Sequence, residues 1–167
     1  MIIGDSMRKD KTNYYLDIAK VVADRSTCLR RKFGCIVVKN DEIVATGYNG
    51  APRGRKNCDE LGYCMRDKLE IPRGERYEMC RSVHAEANAI ISAGRDKTLG
   101  AILYLAGLNA KTGKLESELC SCLMCKRLVI NAGIEKIIVH DPEGKHTVFE
   151  VEEWIKDDES LRGEFGY

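Results

Sequence analysis

Apolar side chains recur every three or four residues in parts of the chain, a spacing that predicts helices. The first such set is Tyr15, Ile18, Ala19 and Val22. It predicts a first helix from about Asn13 to Asp24. Val83–Ala93 is rich in alanine and isoleucine and predicts a buried second helix, and Val148–Lys156 is the expected last helix.

Short apolar runs bounded by polar turns predict the strands. Phe33–Val38 and Ile43–Thr46 are expected to pair as a β-hairpin, and further strands are expected at Ala101–Ala106 and Ile134–Val139. The polar segment Gly107–Glu118 contains a Lys-Thr-Gly turn and predicts a small protruding hairpin. Helices that alternate with strands on a mixed sheet predict an α/β domain of three layers.

The totals fit one domain with a full core, since 44% of the 167 residues are hydrophobic. Residues 1–12 and 157–167 are expected to be tails on a domain of residues 13–156. The sequence has neither a run of eighteen apolar residues nor a signal peptide, so we expect a soluble, cytoplasmic protein without a membrane partner. With 27 basic and 26 acidic residues, the charge gives no support for a nucleic-acid partner, but a small phosphorylated substrate stays open.

An imidazole and a carboxylate stand two residues apart at the start of the second helix, at His84 and Glu86. Such residues do not share a helix face, so they can converge only in the first turn, where free N–H groups favour anions around a metal. Cys122 and Cys125 share a face at the start of another helix. One histidine and two cysteines leave the fourth position of tetrahedral Zn²⁺ open for water, as in a catalytic site. Cys120 is an alternative ligand.

The long segment 47–82 carries Cys58, Cys64 and Cys80 in polar loop sequence, and a loop of this length is usually functional or pinned. With Cys28, which precedes the first strand, these cysteines could close a structural zinc site. Scattered buried thiols are the alternative. Eight cysteines in a reducing compartment also favour metal sites over disulfides.

With these residues assembled, the chain resembles the zinc-dependent deoxycytidylate (dCMP) deaminases of the cytidine deaminase superfamily, close to the bacterial late-competence ComE operon group. The resemblance covers Tyr14 to His140. It rests on Arg25-Ser26-Thr27-Cys28, Phe33-Gly34, Gly47-Tyr48-Asn49-Gly50-Ala51-Pro52, Asn57-Cys58, His84-Ala85-Glu86-Ala87-Asn88-Ala89-Ile90, and Cys122-x-x-Cys125 with Asn131-Ala132-Gly133-Ile134. Two features depart from the signature H-x-E…P-C-x-x-C: Ser121 replaces its proline, and Gly107–Glu118 lengthens the preceding loop.

The resemblance implies a three-layer α/β/α cytidine deaminase-like fold with a central mixed sheet of about five strands. It also implies hydrolytic deamination of dCMP to dUMP and ammonia, with Glu86 as the acid–base, and a second, structural zinc at positions matching Cys28 and Cys58. Homo-oligomers, from dimer to hexamer, and dCTP and dTTP as effectors are further implications. Asn49 and Ala85 are the expected substrate contacts. The cations expected to meet the 5′-phosphate, or else to be plain surface charge, are Arg30, Arg31, Lys32 and Arg53.

Other functions share parts of this pattern. A tRNA adenosine deaminase has both zinc motifs, but the near-neutral charge and the Gly-Tyr-Asn-Gly stretch oppose it. A deaminase of cytidine, of a free base or of a modified nucleoside is a closer alternative because of the lengthened loop. A zinc-stabilised interaction module of the competence apparatus, without activity, is opposed by the intact His84-x-Glu86.

Overall fold

The computed structural model describes residues 8–117 and 119–157, and five strands within them form one mixed sheet in the order β2-β1-β3-β4-β5. The strands are β1 Arg31–Lys39, β2 Glu42–Tyr48, β3 Ile102–Asn109, β4 Lys136–His140 and β5 His146–Glu150. β3 and β4 are parallel, and the other neighbouring pairs are antiparallel. The predicted mixed sheet of about five strands is therefore confirmed.

Helices cover both faces of this sheet, as the alternating pattern predicted. They are α1 Lys11–Ala23, α2 Cys58–Leu61, α3 Met65–Lys68, α4 Ala85–Ala93, α5 Arg95–Thr98, α6 Leu123–Ala132 and α7 Val151–Lys156. On one face, Leu16 of α1 packs with Ile36 and Tyr104 of the sheet. On the other face, α4 and α6 pack on Leu103 and its neighbours through Ala89 and Val129.

Two predicted elements match the structure closely. The first helix begins at Lys11, where the side chain of Asp10 caps it by accepting from the N–H of Asn13. The β1–β2 hairpin turns through Asn40 and Asp41, whose φ angles of 51° and 64° suit the left-handed turns that match strand twist. Residues 1–7 of the expected N-terminal tail and residues 158–167 of the expected C-terminal tail lie outside the described part.

The prediction of a helix over Val148–Lys156 was wrong at its start. The chain forms β5 over His146–Glu150, and α7 begins only at Val151. β5 pairs with β4, with Phe149 opposite Ile137, and Phe149 packs against the core. Pairing with the preceding strand thus overrides the local pattern that predicted a helix.

The segment that follows β3 does turn back on itself, as predicted. Asn109 donates its N–H to the carbonyl of Lys114 at 2.8 Å, and Leu108 and Leu115 form a β-bridge. Glu118, the last residue of the expected hairpin, lies outside the described residues. Within the described ranges, no helix has the length and apolar character needed to cross a membrane.

Candidate active site

The ends of two helices bring the three predicted zinc ligands together. His84 is the N-cap residue of α4 and Cys122 is that of α6, and neither side chain makes a capping hydrogen bond. Nδ1 of His84 lies 3.4 Å from the Sγ atoms of Cys122 and Cys125. Tetrahedral Zn²⁺ with its usual bond lengths separates its ligand atoms by about 3.3–3.8 Å. One nitrogen and two sulfurs at this spacing therefore fit a zinc ion.

Protonation of these side chains is strongly linked. A hydrogen bond from Cys125 and the neighbouring imidazole lower the pKa of Cys122 to about 4, although burial opposes this. Burial disfavours the charged imidazole of His84, but hydrogen bonds to Cys122 and Cys80 raise its pKa to about 10. The hydrogen bond with Cys122, together with burial, raises the pKa of Cys125. Groups that share protons in this way release them when a divalent cation binds.

Glu86 lies beside these ligands, in the first turn of α4. Its side chain is buried, and the Ser121 hydroxyl donates to Oε1 at 2.8 Å. The carboxylate also raises the pKa of the Cys125 thiol through its charge and a hydrogen bond. With zinc bound, a carboxylate beside its ligands would be placed to exchange protons with a water at the metal.

A cavity opens above these residues. His84, Glu86 and Cys122 line it together with two predicted substrate contacts, Asn49 and Ala85. Its wall also contains four arginines, which are Arg30, Arg31, Arg66 and Arg73. The positive charge of these arginines suits a ligand that carries anionic groups.

The predicted cations meet this cavity only in part. Arg30 and Arg31 line it, whereas Arg53 and Lys32 are not among its lining residues. Arg53 is exposed and lies in the turn that follows Gly50. Gly50 itself exchanges two backbone hydrogen bonds with Val83. The assignment of Arg53 to the substrate site is therefore not supported by its place in the fold.

Asn49 lies in the cavity wall with its amide already engaged. Its Oδ1 accepts the N–H of Phe33 at 2.8 Å and the hydroxyl of Ser26, and its Nδ2 donates to the carbonyl of Arg31 at 3.0 Å. These bonds tie the start of β1 to the loop after β2. Asn49 thus shapes the wall, and one amide N–H is left for a ligand.

Arg66 and Arg73 were not predicted. Arg66 is only 5% exposed, and its Nη2 donates to the carbonyls of Pro72 at 2.6 Å and Glu75 at 2.7 Å. Its guanidinium lies 4.2 Å from the centre of the Tyr77 ring, which in turn meets the His84 ring edge-on. Arg66 therefore ties the loop between α3 and α4 together and, through Tyr77, packs it against His84. Only the Arg-rich composition of that loop hinted at this.

The four cysteines of the expected second zinc site lie near one another without closing around a point. Burial raises the pKa of Cys58, as do the charges of Cys28, Cys80 and Cys64. Cys80 also hydrogen-bonds to His84, which lowers the pKa of Cys80 against the effect of burial. Among the described residues, His84, Cys122 and Cys125 form the one group whose ligand atoms all lie within 4.8 Å of one another.

Comparison with known proteins agrees with this geometry. The family profile described as the cytidine and deoxycytidylate deaminase zinc-binding region matches residues 9–141. A deoxycytidylate deaminase of Schizosaccharomyces pombe is 36% identical over 129 residues, which are 77% of this chain and 36% of that protein. One from Mycobacterium phage D29 is 36% identical over 135 residues, which are 78% of this chain and 94% of that protein.

A solved structure also resembles the fold of this chain. The dCMP deaminase from the cyanophage S-TIM5, in complex with dCMP and dUMP, has a TM-score of 0.53 at 25% identity, over 81% of this chain and 84% of that one. The matched part of this chain covers only about a third of the Schizosaccharomyces pombe protein but nearly all of the protein from phage D29. The chain belongs to the cytidine and deoxycytidylate deaminase zinc-binding family.

Proposed function

We propose that this protein is a zinc-dependent deaminase that hydrolyses dCMP to dUMP and ammonia. The observation that carries the proposal is the convergence of His84, Cys122 and Cys125 on one point, with Glu86 beside them, at a cavity walled by arginines. Relatives named deoxycytidylate deaminases, similar over most of this chain, support the choice of substrate.

The chemistry divides between the ion and the protein. His84, Cys122 and Cys125 would hold Zn²⁺, which would supply a Lewis acid for the attacking water. Because two thiolates nearly neutralise the ion, the water needs a base. Glu86 takes a proton from the attacking water and delivers it to ring N3 as the water oxygen bonds to C4. Glu86 then moves the proton of the new C4 hydroxyl to the exocyclic amine, the C4–N bond breaks, and ammonia leaves as C4 becomes a carbonyl carbon.

The cavity arginines differ in how far their charge is already neutralised. Arg30 pairs with Asp67 at 3.3 Å, and Arg31 pairs with Glu116 at 3.4 Å. Within the described part of the chain, Arg66 and Arg73 have no such carboxylate partner. A 5′-phosphate is an anion that a guanidinium can bind through two parallel N–H donors. Arg73, at the exposed mouth, and the buried Arg66 therefore favour a nucleotide over a nucleoside.

The proposal includes a second zinc, held by the thiols of Cys28, Cys58, Cys64 and Cys80. Three of these cysteines, Cys28, Cys64 and Cys80, line the same cavity, which supports it. The four sulfur atoms would have to move closer together to share one ion. Such a site would fix the long loop that carries Arg66 and Arg73. Homo-oligomers, dCTP and dTTP as effectors, and a cytoplasmic location stay predictions from the resemblance and the composition.

Ammonia release by the zinc-loaded protein tests the substrate, with dCMP, deoxycytidine, cytidine, cytosine and single-stranded DNA compared at equal concentration. A lost hydrogen bond to a charged group is worth about 1.5–3 kcal/mol, so we expect kcat/KM to be about 10- to 100-fold higher for dCMP than for deoxycytidine. Equal values would refute phosphate recognition and favour a nucleoside deaminase. A folded, zinc-loaded protein that releases no ammonia from any of them would favour the interaction module.

A matched pair of variants tests the cavity. Arg73→Gln should lower kcat/KM for dCMP and leave that for deoxycytidine unchanged, because only the nucleotide carries the phosphate. Arg53→Gln removes the same charge from an exposed position outside the cavity, and it should change neither value. Equal losses in both variants would show that a general positive field, rather than a contact in the cavity, attracts the substrate.

A further inference from the structure

Ser121 is a buried hydroxyl that contacts the catalytic carboxylate. It is 5% exposed, lies immediately before the ligand Cys122, and donates to Oε1 of Glu86 at 2.8 Å, across 35 residues of sequence. Its neighbour Cys122 caps α6 without any side-chain capping bond. The hydroxyl of Ser121 is therefore directed at Glu86, and its role is not explained by the helix end.

The position is also where this chain departs from the deaminase signature, which has proline there. Proline carries no hydroxyl and no N–H, so it cannot donate to a carboxylate. Glu86 is buried and lines the cavity, and the last torsion of a glutamate side chain has only a weak preference. A donor on one oxygen therefore decides which way the other oxygen points.

We propose that Ser121 is a positioning residue that holds the Glu86 carboxylate for proton transfer. This inference rests on the proposed function, because it requires Glu86 to move protons during deamination. A hydroxyl suits the task in both protonation states of its partner. It donates to the carboxylate, and it can rotate to accept from the carboxylic acid once Glu86 has taken a proton. The orientation of the side chain is thus kept between the two transfers.

Ser121→Ala, Ser121→Thr and Ser121→Val in the full, zinc-loaded chain test the role of the hydroxyl. Threonine and valine have nearly the same shape, and only threonine keeps the donor. We expect Ala and Val to lower kcat for dCMP about 10- to 100-fold, the range for one hydrogen bond to a charged group. KM and zinc content should change less than about twofold, since the bond positions a proton carrier and not the substrate. Thr should keep most of the rate.

A crystal structure of zinc-loaded Ser121→Ala gives a readout that does not depend on turnover. The Glu86 carboxylate should rotate or occupy two orientations, while the distances among His84, Cys122 and Cys125 stay as they are. The proposal is overturned by wild-type kcat in Ala and Val, by equal losses in Thr and Val, or by an unmoved carboxylate in Ser121→Ala. Absence of deamination by the wild-type protein is a different result, which overturns the proposed function itself.

Discussion

Glu86 is a buried side chain, and the proposed mechanism assigns it two proton transfers. Glu86→Gln keeps the size of the side chain and an oxygen that can accept from Ser121, but the amide cannot take a proton. General acid–base help is worth about 10²–10⁴-fold, so we expect kcat to fall by at least that much while zinc content and the unfolding temperature stay the same. Turnover, elemental analysis and thermal unfolding of the purified variant check this.

Glu153→Gln, the same change at an exposed position of α7, is its control and should leave all three measurements unaltered. A Glu86→Gln enzyme with near-wild-type turnover would remove Glu86 from the mechanism. Loss of zinc in that variant would instead assign Glu86 to the metal site.

Which residues could be predicted depends on how local their determinants are. His84 and Glu86 stand at a fixed spacing on one helix start, so the sequence alone identifies them as a pair. Arg66 lies on the short helix α3 and Arg73 in the loop that follows it, and both line the cavity. Arg66 also donates to two carbonyls of that loop. Arg53 has the same chemistry and lies in a similar loop, yet it is not among the residues that line the cavity. Nothing in the composition separates these cases.

At the level of elements, α4 is held against β2 at a point without a side chain. A Cβ built on Gly47 would lie 2.2 Å from the carbonyl oxygen of Ala85 and 2.5 Å from the N of Ala89. Since these atoms are backbone, Gly47→Ala must push α4 off the sheet, and with it His84 and Glu86. We expect a loss of stability of about 1–3 kcal/mol, the usual cost of overpacking, together with a lower kcat.

Chemical denaturation and steady-state kinetics measure these two effects. Gly50→Ala is the matched change, because the nearest atom to its Cβ would be 3.4 Å away, an ordinary contact. It should cost much less free energy of unfolding. If both substitutions cost the same, the close approach of α4 to Gly47 is not what holds that helix in place.

Elements whose pattern extends over many residues were predictable, whereas two short elements, α5 and β5, were not. α1 and the β1–β2 hairpin carry their pattern over enough residues to identify themselves. α5 spans only Arg95–Thr98, and β5 has five residues whose strand form comes from pairing with β4. An edge strand of this kind is defined by its partner, which a local pattern does not contain.

At the scale of the whole molecule, the sheet topology explains why two helix ends meet. α4 and α5 lead into β3, α6 leads into β4, and these two strands are parallel neighbours. A helix that returns the chain along a strand begins near the strand's carboxyl end, so α4 and α6 both begin at the same edge. Ligand sites of open α/β sheets lie at that edge. Because β3 and β4 pair in parallel, the motifs at the starts of α4 and α6 lie side by side and form one site.

The expected zinc stoichiometry is also a property of the whole molecule, because a structural ion contributes its binding energy to folding. We expect two zinc ions per chain in protein purified without added metal, as measured by elemental analysis. His84→Ala should retain one zinc and lose turnover. Cys58→Ser should also retain one but lower the unfolding temperature by several degrees, with the larger effect on stability and the smaller one on kcat.

Cys120→Ser is the control for Cys58→Ser. Cys120 is exposed, lines the cavity and is the alternative ligand that the sequence offered, but it is not among the three residues whose ligand atoms converge on one point. This variant should leave both ions and the unfolding temperature unchanged. A single zinc that disappears in His84→Ala would show that the four thiols hold no metal. In that case the long loop over the cavity would depend on Arg66 and its carbonyl partners, and Arg66→Gln would then be expected to lower the unfolding temperature more than Cys58→Ser does, because Arg66 donates to two loop carbonyls.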